Sequence, residues 1–125
     1  MFHIGHLNIL KRAREHCGRL IVGVVTDEAL HQMKGKYPIV PLEERMAIVE
    51  AIGIVDEVVV DFSANKLDVW EKHPFDVIFK GDDWRGTAKG HHLEDQMATV
   101  GVAVHYFPYT LHTSSSELRK VVTAL

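Results

Sequence analysis

The chain has 125 residues, 46% of them hydrophobic and 25% charged, with 14 Lys plus Arg against 17 Asp plus Glu and a formal net charge of −3. That length fits one domain spanning residues 1–125, and no apolar run approaches the ~20 residues needed to cross a bilayer. The mildly acidic balance without a basic block argues against nucleic acid as a partner, the opening Met1-Phe2-His3-Ile4 does not read as a secretory signal, and the one cysteine, Cys17, forms no internal disulfide, so a cytoplasmic protein with no membrane partner is expected.

The elements follow from periodicity. Residues 6–17 read as a helix with Leu7, Leu10, Ala13 and Cys17 on one face and Lys11, Arg12, Arg14 and Glu15 toward water. Gly18 stops it. Leu20–Val25 is a continuous apolar run of strand length, suited to a parallel strand covered on both faces. The polar stretch 31–40, with Gly35 and Pro38, reads as a loop, and Pro41 as the first residue of a helix whose inner face is Leu42, Met46, Val49 and Ile52. Val58–Val60 is a second strand, 64–73 a helix, and Val77–Phe79 a third strand ending in the turn Gly81-Asp82-Asp83. Residues 88–100 are helical with Leu93, Met97 and Val100 inward, and Val102–Phe107 is a fourth strand. Ser114 and Glu117 make a capping box for a last helix with Leu118, Val121, Val122 and Leu125 as its stripe.

Strands alternating with helices predict an α/β fold, a Rossmann-like parallel sheet with helices on both faces. Ligands in such sheets bind beyond the carboxyl ends of the strands. Here those ends carry Thr26-Asp27, Asp61, Lys80-Gly81-Asp82-Asp83 and Pro108-Tyr109-Thr110, so polar residues gather on one edge.

Four constellations could carry chemistry. His3-Ile4-Gly5-His6 opens a helix: two imidazoles three apart, a glycine admitting close approach to the backbone, and free N–H donors favour an anion. A solvent-exposed pair of histidines, or a metal site short of a third ligand, would read the same. Lys34-Gly35-Lys36 would neutralise phosphates, or simply be solvated. Lys80-Gly81-Asp82-Asp83-Trp84 offers carboxylates for a Mg²⁺-bound phosphate, a base or a sugar, although Gly-Asp turns are common. Thr113-Ser114-Ser115-Ser116 would cradle an anion at a helix start, and capping alone accounts for one serine. His91-His92 is expected at the surface, Cys17 in the core, and no residue is read as a dedicated metal ligand.

Taken together, His3-Ile4-Gly5-His6, Val24-Val25-Thr26-Asp27-Glu28, Glu44-Arg45, Val55-Asp56-Glu57-Val58, Gly81-Asp82-Asp83-Trp84 and Thr113-Ser114-Ser115-Ser116 resemble, in order and over the whole chain, the glycerol-3-phosphate cytidylyltransferases of the HxGH nucleotidyltransferase superfamily. That resemblance implies that CTP and glycerol 3-phosphate, or a similar small phosphorylated alcohol, give a CDP-alcohol and pyrophosphate, with Mg²⁺ entering alongside the triphosphate. It assigns His3 and His6 to the nucleotide phosphates and the transition state, with Ile4 and Gly5 in the same nucleotide-binding motif. Lys34 and Lys36 match the lysines that hold phosphates, and Lys34 and Lys66 fall near the acceptor. Asp83 sits near the base or sugar. Tyr109, Thr110, Leu111, His112, Thr113, Ser114, Ser115 and Ser116 match the nucleotide-binding loop, and a homodimer is implied.

Three departures accompany the match. The loop lacks the family's phosphate-clamping arginine, leaving His112 or Arg119 to replace it, and Gly53 stands where the family has an arginine near the base. The family's strand ending in Gly-Thr-Phe-Asp ahead of the HxGH motif has no counterpart here. Because that strand is central in the sheet order 3-2-1-4-5, two neighbours are expected to lose their partner, Met1 is read as an internal methionine of a longer protein, and the chain as written is expected to be poorly soluble, or folded only with a partner segment filling the gap, and inactive. The rival readings are an adenylyltransferase of the same fold acting on a sugar phosphate or flavin precursor, and a nucleotide-binding module without catalysis.

Overall fold

The computed structural model describes residues 4–108. His3, the loop residues 109–116 and the helix expected after them lie outside the described residues. The elements in chain order are α1 (Ile4–Glu15), β1 (Ile21–Val25), α2 (Asp27–Lys34), α3 (Leu42–Glu50), β2 (Glu57–Asp61), α4 (Lys66–Lys72), β3 (Val77–Gly81), a 3-10 turn (Asp82–Trp84), α5 (Ala88–Ala98) and β4 (Ala103–Phe107). Among these residues no helix is long and apolar enough to cross a membrane.

Three details depart from the sequence reading. The stretch 31–40 is not all loop: His31 to Lys34 form the second half of α2. This helix is specified by its ends. Thr26 accepts a hydrogen bond from the Ala29 N–H at 3.0 Å, Asp27 and Glu28 sit in the first turn where the helix dipole favours carboxylates, and Gly35 at φ 72° closes the last turn. Its eight residues are too few to develop a clear apolar period. Pro41 is the N-cap of α3 rather than its first residue. Gly81 closes β3, and Asp82–Trp84 form a 3-10 turn in place of a simple Gly-Asp-Asp turn.

The strands pair in two parallel ladders. β1 lies against β2 from Ile21↔Glu57 to Val25↔Asp61, and β3 against β4 from Val77↔Ala103 to Gly81↔Phe107. β1 and β3 share no ladder, yet Ile21, Val22 and Gly23 of one and Val77 to Lys80 of the other line one cavity of about 750 Å³. Among the described residues no strand lies between β1 and β3, the place where the order 3-2-1-4-5 has its central strand.

Two apolar clusters hold the pairs to their helices. Ala13, Leu20 and Phe107 are buried together, with Ile9, Leu10, Cys17, Val22, Val55 and Phe79 packed on them, so α1 touches both ladders. Leu93, Met97 and Val102 form the second cluster under α4 and α5, with Trp70, Phe75, Ile78 and Val104 around it. The expected inner faces of α1 and α5 are the ones used, with Val100 at the margin of the second cluster. His91 and His92 are exposed.

The Val55-Asp56-Glu57-Val58 motif acts structurally. The Asp56 carboxylate accepts the Leu20 N–H at 2.7 Å and pairs with Arg14, fixing the entry of β1 beside β2. That backbone hydrogen bond, with the nearby Arg14 and Arg19, holds the Asp56 carboxyl below its ordinary range despite an opposing push from burial.

Candidate active site

The carboxyl ends of the strands are the place to look for a ligand. Asp61 ends β2, and Lys80 is the last but one residue of β3. Asp61 is only 9% exposed. One of its oxygens pairs with Lys66 Nζ, from the first turn of α4. The other, Oδ1, is buried with no hydrogen-bond partner among the described residues. Burial of an unpartnered carboxylate oxygen is costly, and β1 is built to receive this side chain: a Cβ on Gly23 would stand 3.3 Å from the Asp61 Cβ.

Lys80 approaches the same group from the other ladder. Asp61, Lys66 and Lys80 all line the cavity between β1 and β3, and Lys80 Nζ lies 4.0 Å above the ring of Trp84. Burial is the main reason its pKa falls, to about 8; Lys66 pushes it the same way, while Asp61 and Asp83 oppose. Two ammonium groups around one carboxylate leave this wall of the cavity with an excess positive charge.

Arg45 sets the neighbouring strand end. Its guanidinium donates to the Val25 carbonyl at 2.6 Å and the Val40 carbonyl at 2.9 Å, and pairs with Asp27. One side chain on α3 thereby ties the end of β1, the start of α2 and the stretch leading into α3. This planar fork cannot be reproduced by lysine.

Of the residues singled out from sequence, Gly5 is buried and His6 half-buried in the first turn of α1, and Ile4 is 48% exposed. Lys34 ends α2 and Lys36 follows it, both exposed. Asp83 is exposed in the 3-10 turn. Of the described candidates, Lys66 lines the cavity, whereas His6, Lys34, Lys36 and Asp83 are not among its lining residues. His3 and Tyr109 to Ser116 fall outside the described residues. Sequence reasoning placed Arg45 in a family motif and Asp61 and Lys80 at the ligand edge, but gave none of the three a contact of its own. The available signal for the last two was a charged residue closing each apolar strand run.

The cytidylyltransferase-like family matches residues 1–121. The chain belongs to the cytidylyltransferase-like family. Two relatives align over its full length: the glycerol-3-phosphate cytidylyltransferases of Bacillus subtilis (strain 168), 33% identical, and of Bacillus spizizenii, 32% identical, with 92% of each relative covered. The ethanolamine-phosphate cytidylyltransferase of Arabidopsis thaliana is 40% identical over 66% of the chain, which spans 21% of that longer protein. The FAD synthase of Pyrococcus abyssi is 31% identical over 98% of the chain and 83% of its own length. Among solved structures, the lipopolysaccharide core biosynthesis protein from Thermoplasma volcanium superposes with a TM-score of 0.72 at 22% identity, over 88% of this chain and 90% of that one. At that identity it speaks for the α/β fold alone. For this cytidylyltransferase-like enzyme, a nucleotidyltransferase by family, the site to explain is therefore one that brings a nucleotide and an anionic acceptor together.

Proposed function

We propose that the protein transfers the cytidylyl group of CTP to glycerol 3-phosphate or a closely similar phosphorylated alcohol. An acceptor phosphate oxygen forms the new bond to the α-phosphorus, the bond from that phosphorus to the bridging oxygen breaks, and pyrophosphate leaves with the electron pair. The observation that carries this reading is the full-length match to two glycerol-3-phosphate cytidylyltransferases, each covered over 92% of its length.

Catalysis of this kind is positioning and charge stabilisation. His3 and His6 are proposed to donate hydrogen bonds to the phosphate oxygens as charge develops, and Lys34 and Lys36 to neutralise the triphosphate from the end of α2. The residues from Tyr109 to Ser116 are proposed to bind the nucleotide. Mg²⁺ arrives on the triphosphate; the exposed carboxylates of Asp82 and Asp83 are hard oxygen donors of the kind it takes through water.

Pyrophosphate release from each nucleoside triphosphate in the presence of glycerol 3-phosphate tests the reading. This reading expects turnover with CTP, against the inactivity expected from the sequence, and His6→Ala should lower kcat by roughly 10²–10³-fold with a much smaller change in CTP affinity. Turnover with ATP and a flavin precursor, but none with CTP, would instead support adenylyl transfer, the second reading favoured by the match to FAD synthase.

A further inference from the structure

We propose that Arg45 is a positioning residue for the nucleotide: by pinning the stretch 35–40 to the carboxyl end of β1, it fixes where Lys34 and Lys36 stand and so sets the affinity for a nucleoside triphosphate. The proposal rests on the reading of those lysines as phosphate ligands and adds to it the group that holds them in place.

The contacts carry the argument. All three nitrogens of the Arg45 guanidinium are used: Nε donates to the Val40 carbonyl at 2.9 Å, one terminal nitrogen donates to the Val25 carbonyl at 2.6 Å, and the other pairs with Asp27. Val25 is the last residue of β1, so its carbonyl stands on the sheet edge where ligands bind. The chain leaves that edge through Asp27, the first residue of α2, and is tied back to it at Val40. Arg45 therefore clasps both ends of one excursion. Within it the Gly35 N–H donates to the His31 carbonyl at 2.7 Å, and the Tyr37 ring stacks on that of His31 with centroids 4.2 Å apart. A connection that only joined two helices would gain little from being held at so many points. What the excursion displays is charge: Lys34 and Lys36 are exposed, and among the described residues neither forms an ion pair. Lysine is a point charge on a flexible stem, and a fixed backbone beneath it lowers the ordering that binding an anion requires. Arg45 itself is not the phosphate ligand, because its side chain is only 16% exposed and its nitrogens are taken.

CTP and CMP, which has one phosphate in place of three, are the probes, each titrated calorimetrically with Mg²⁺ into the full chain, with pyrophosphate release assayed in parallel. Arg45→Lys keeps the charge and loses the fork. It should weaken CTP binding by about tenfold, the worth of one charge-assisted hydrogen bond, and CMP binding by less than about threefold. In a chain already carrying Lys34→Ala and Lys36→Ala, the same substitution should change CTP binding by less than about twofold, because a residue that acts through others is not additive with them. Asp27→Asn keeps Arg45 in place but removes the charge that holds its fork; it should show the same pattern, and it decides the matter if Arg45→Lys does not fold. A purely structural staple would weaken both probes alike and would cost as much without the two lysines as with them. That result, unchanged CTP affinity in Arg45→Lys, or no CTP binding by the wild-type chain would each overturn the proposal. The expected binding pattern without pyrophosphate release from any nucleotide would leave the positioning role standing and remove the transfer reading instead.

Discussion

At the scale of single residues, Lys80 shows how a buried charge opposes stability. Its pKa in the folded chain is near 8, below the ordinary 10.5, so between these values the unfolded chain binds more protons than the folded one. Linkage then requires stability to rise with pH across that window, and to carry the full cost of the charged lysine below it. The groups that set the shift are Lys66, Asp61 and Asp83, beside burial itself. Lys80→Met should therefore be more stable than wild type near pH 7, and its advantage should shrink as the pH approaches 10. Urea midpoints for the two proteins at both ends of that range check this; an advantage that stays constant with pH would contradict the assignment.

Among the elements, the packing of α5 against the 3-10 turn is the tightest joint. A Cβ on Gly90 would lie 2.0 Å from the Trp84 carbonyl oxygen, an overlap that backbone must relieve by moving. Thr87 seals the same joint, accepting the Gly90 N–H at 3.1 Å and donating its hydroxyl to the Trp84 carbonyl at 2.7 Å. Gly90→Ala should cost at least about 1–3 kcal/mol, the range for overpacking, and Thr87→Ala about 0.5–2 kcal/mol through the lost cap. Chemical denaturation measures both. Because this turn contains Asp83 and the Trp84 ring under Lys80, Gly90→Ala should also loosen that contact, visible as a change in tryptophan emission.

For the molecule as a whole, the controlling feature is the break between the two ladders. The edges of β1 and β3 that face it carry no ladder partner among the described residues, and backbone groups left unpaired away from water cost about 1–3 kcal/mol each. Gly23 is exposed and Val22 only half-buried in β1, where a central strand would be covered on both faces. Fusing a five- to six-residue strand of Val and Ile ahead of Met1, about the common strand length, is expected to raise the melting temperature by several degrees and sharpen the transition. Unchanged melting with such a fusion would show that the cavity does not accept a strand.

Much of the fold was legible in the sequence because burial writes itself as periodicity. The apolar runs at Leu20–Val25, Val58–Val60, Val77–Phe79 and Val102–Phe107 contain most of each strand, and the inward residues Ala13, Leu93 and Met97 are among the most buried in the chain. The family was legible too, because its motifs are read directly as residue types in their order along the chain. Helix α2 was not, since caps and not periodicity define it. The partnership of Asp61, Lys66 and Lys80 was decided only by the tertiary structure. These residues belong to separate elements, and nothing in their spacing says that β2 and β3 stand on opposite sides of one cavity. Nor could spacing tell that Arg45 reaches back to the carbonyl of Val25, or that Asp56 caps the entry to β1, because a side chain's partner depends on which elements the sheet order makes neighbours. Sequence alone determined which residues are apolar, charged or turn-forming; the order of the strands decided which of the charged ones meet, and in how little water.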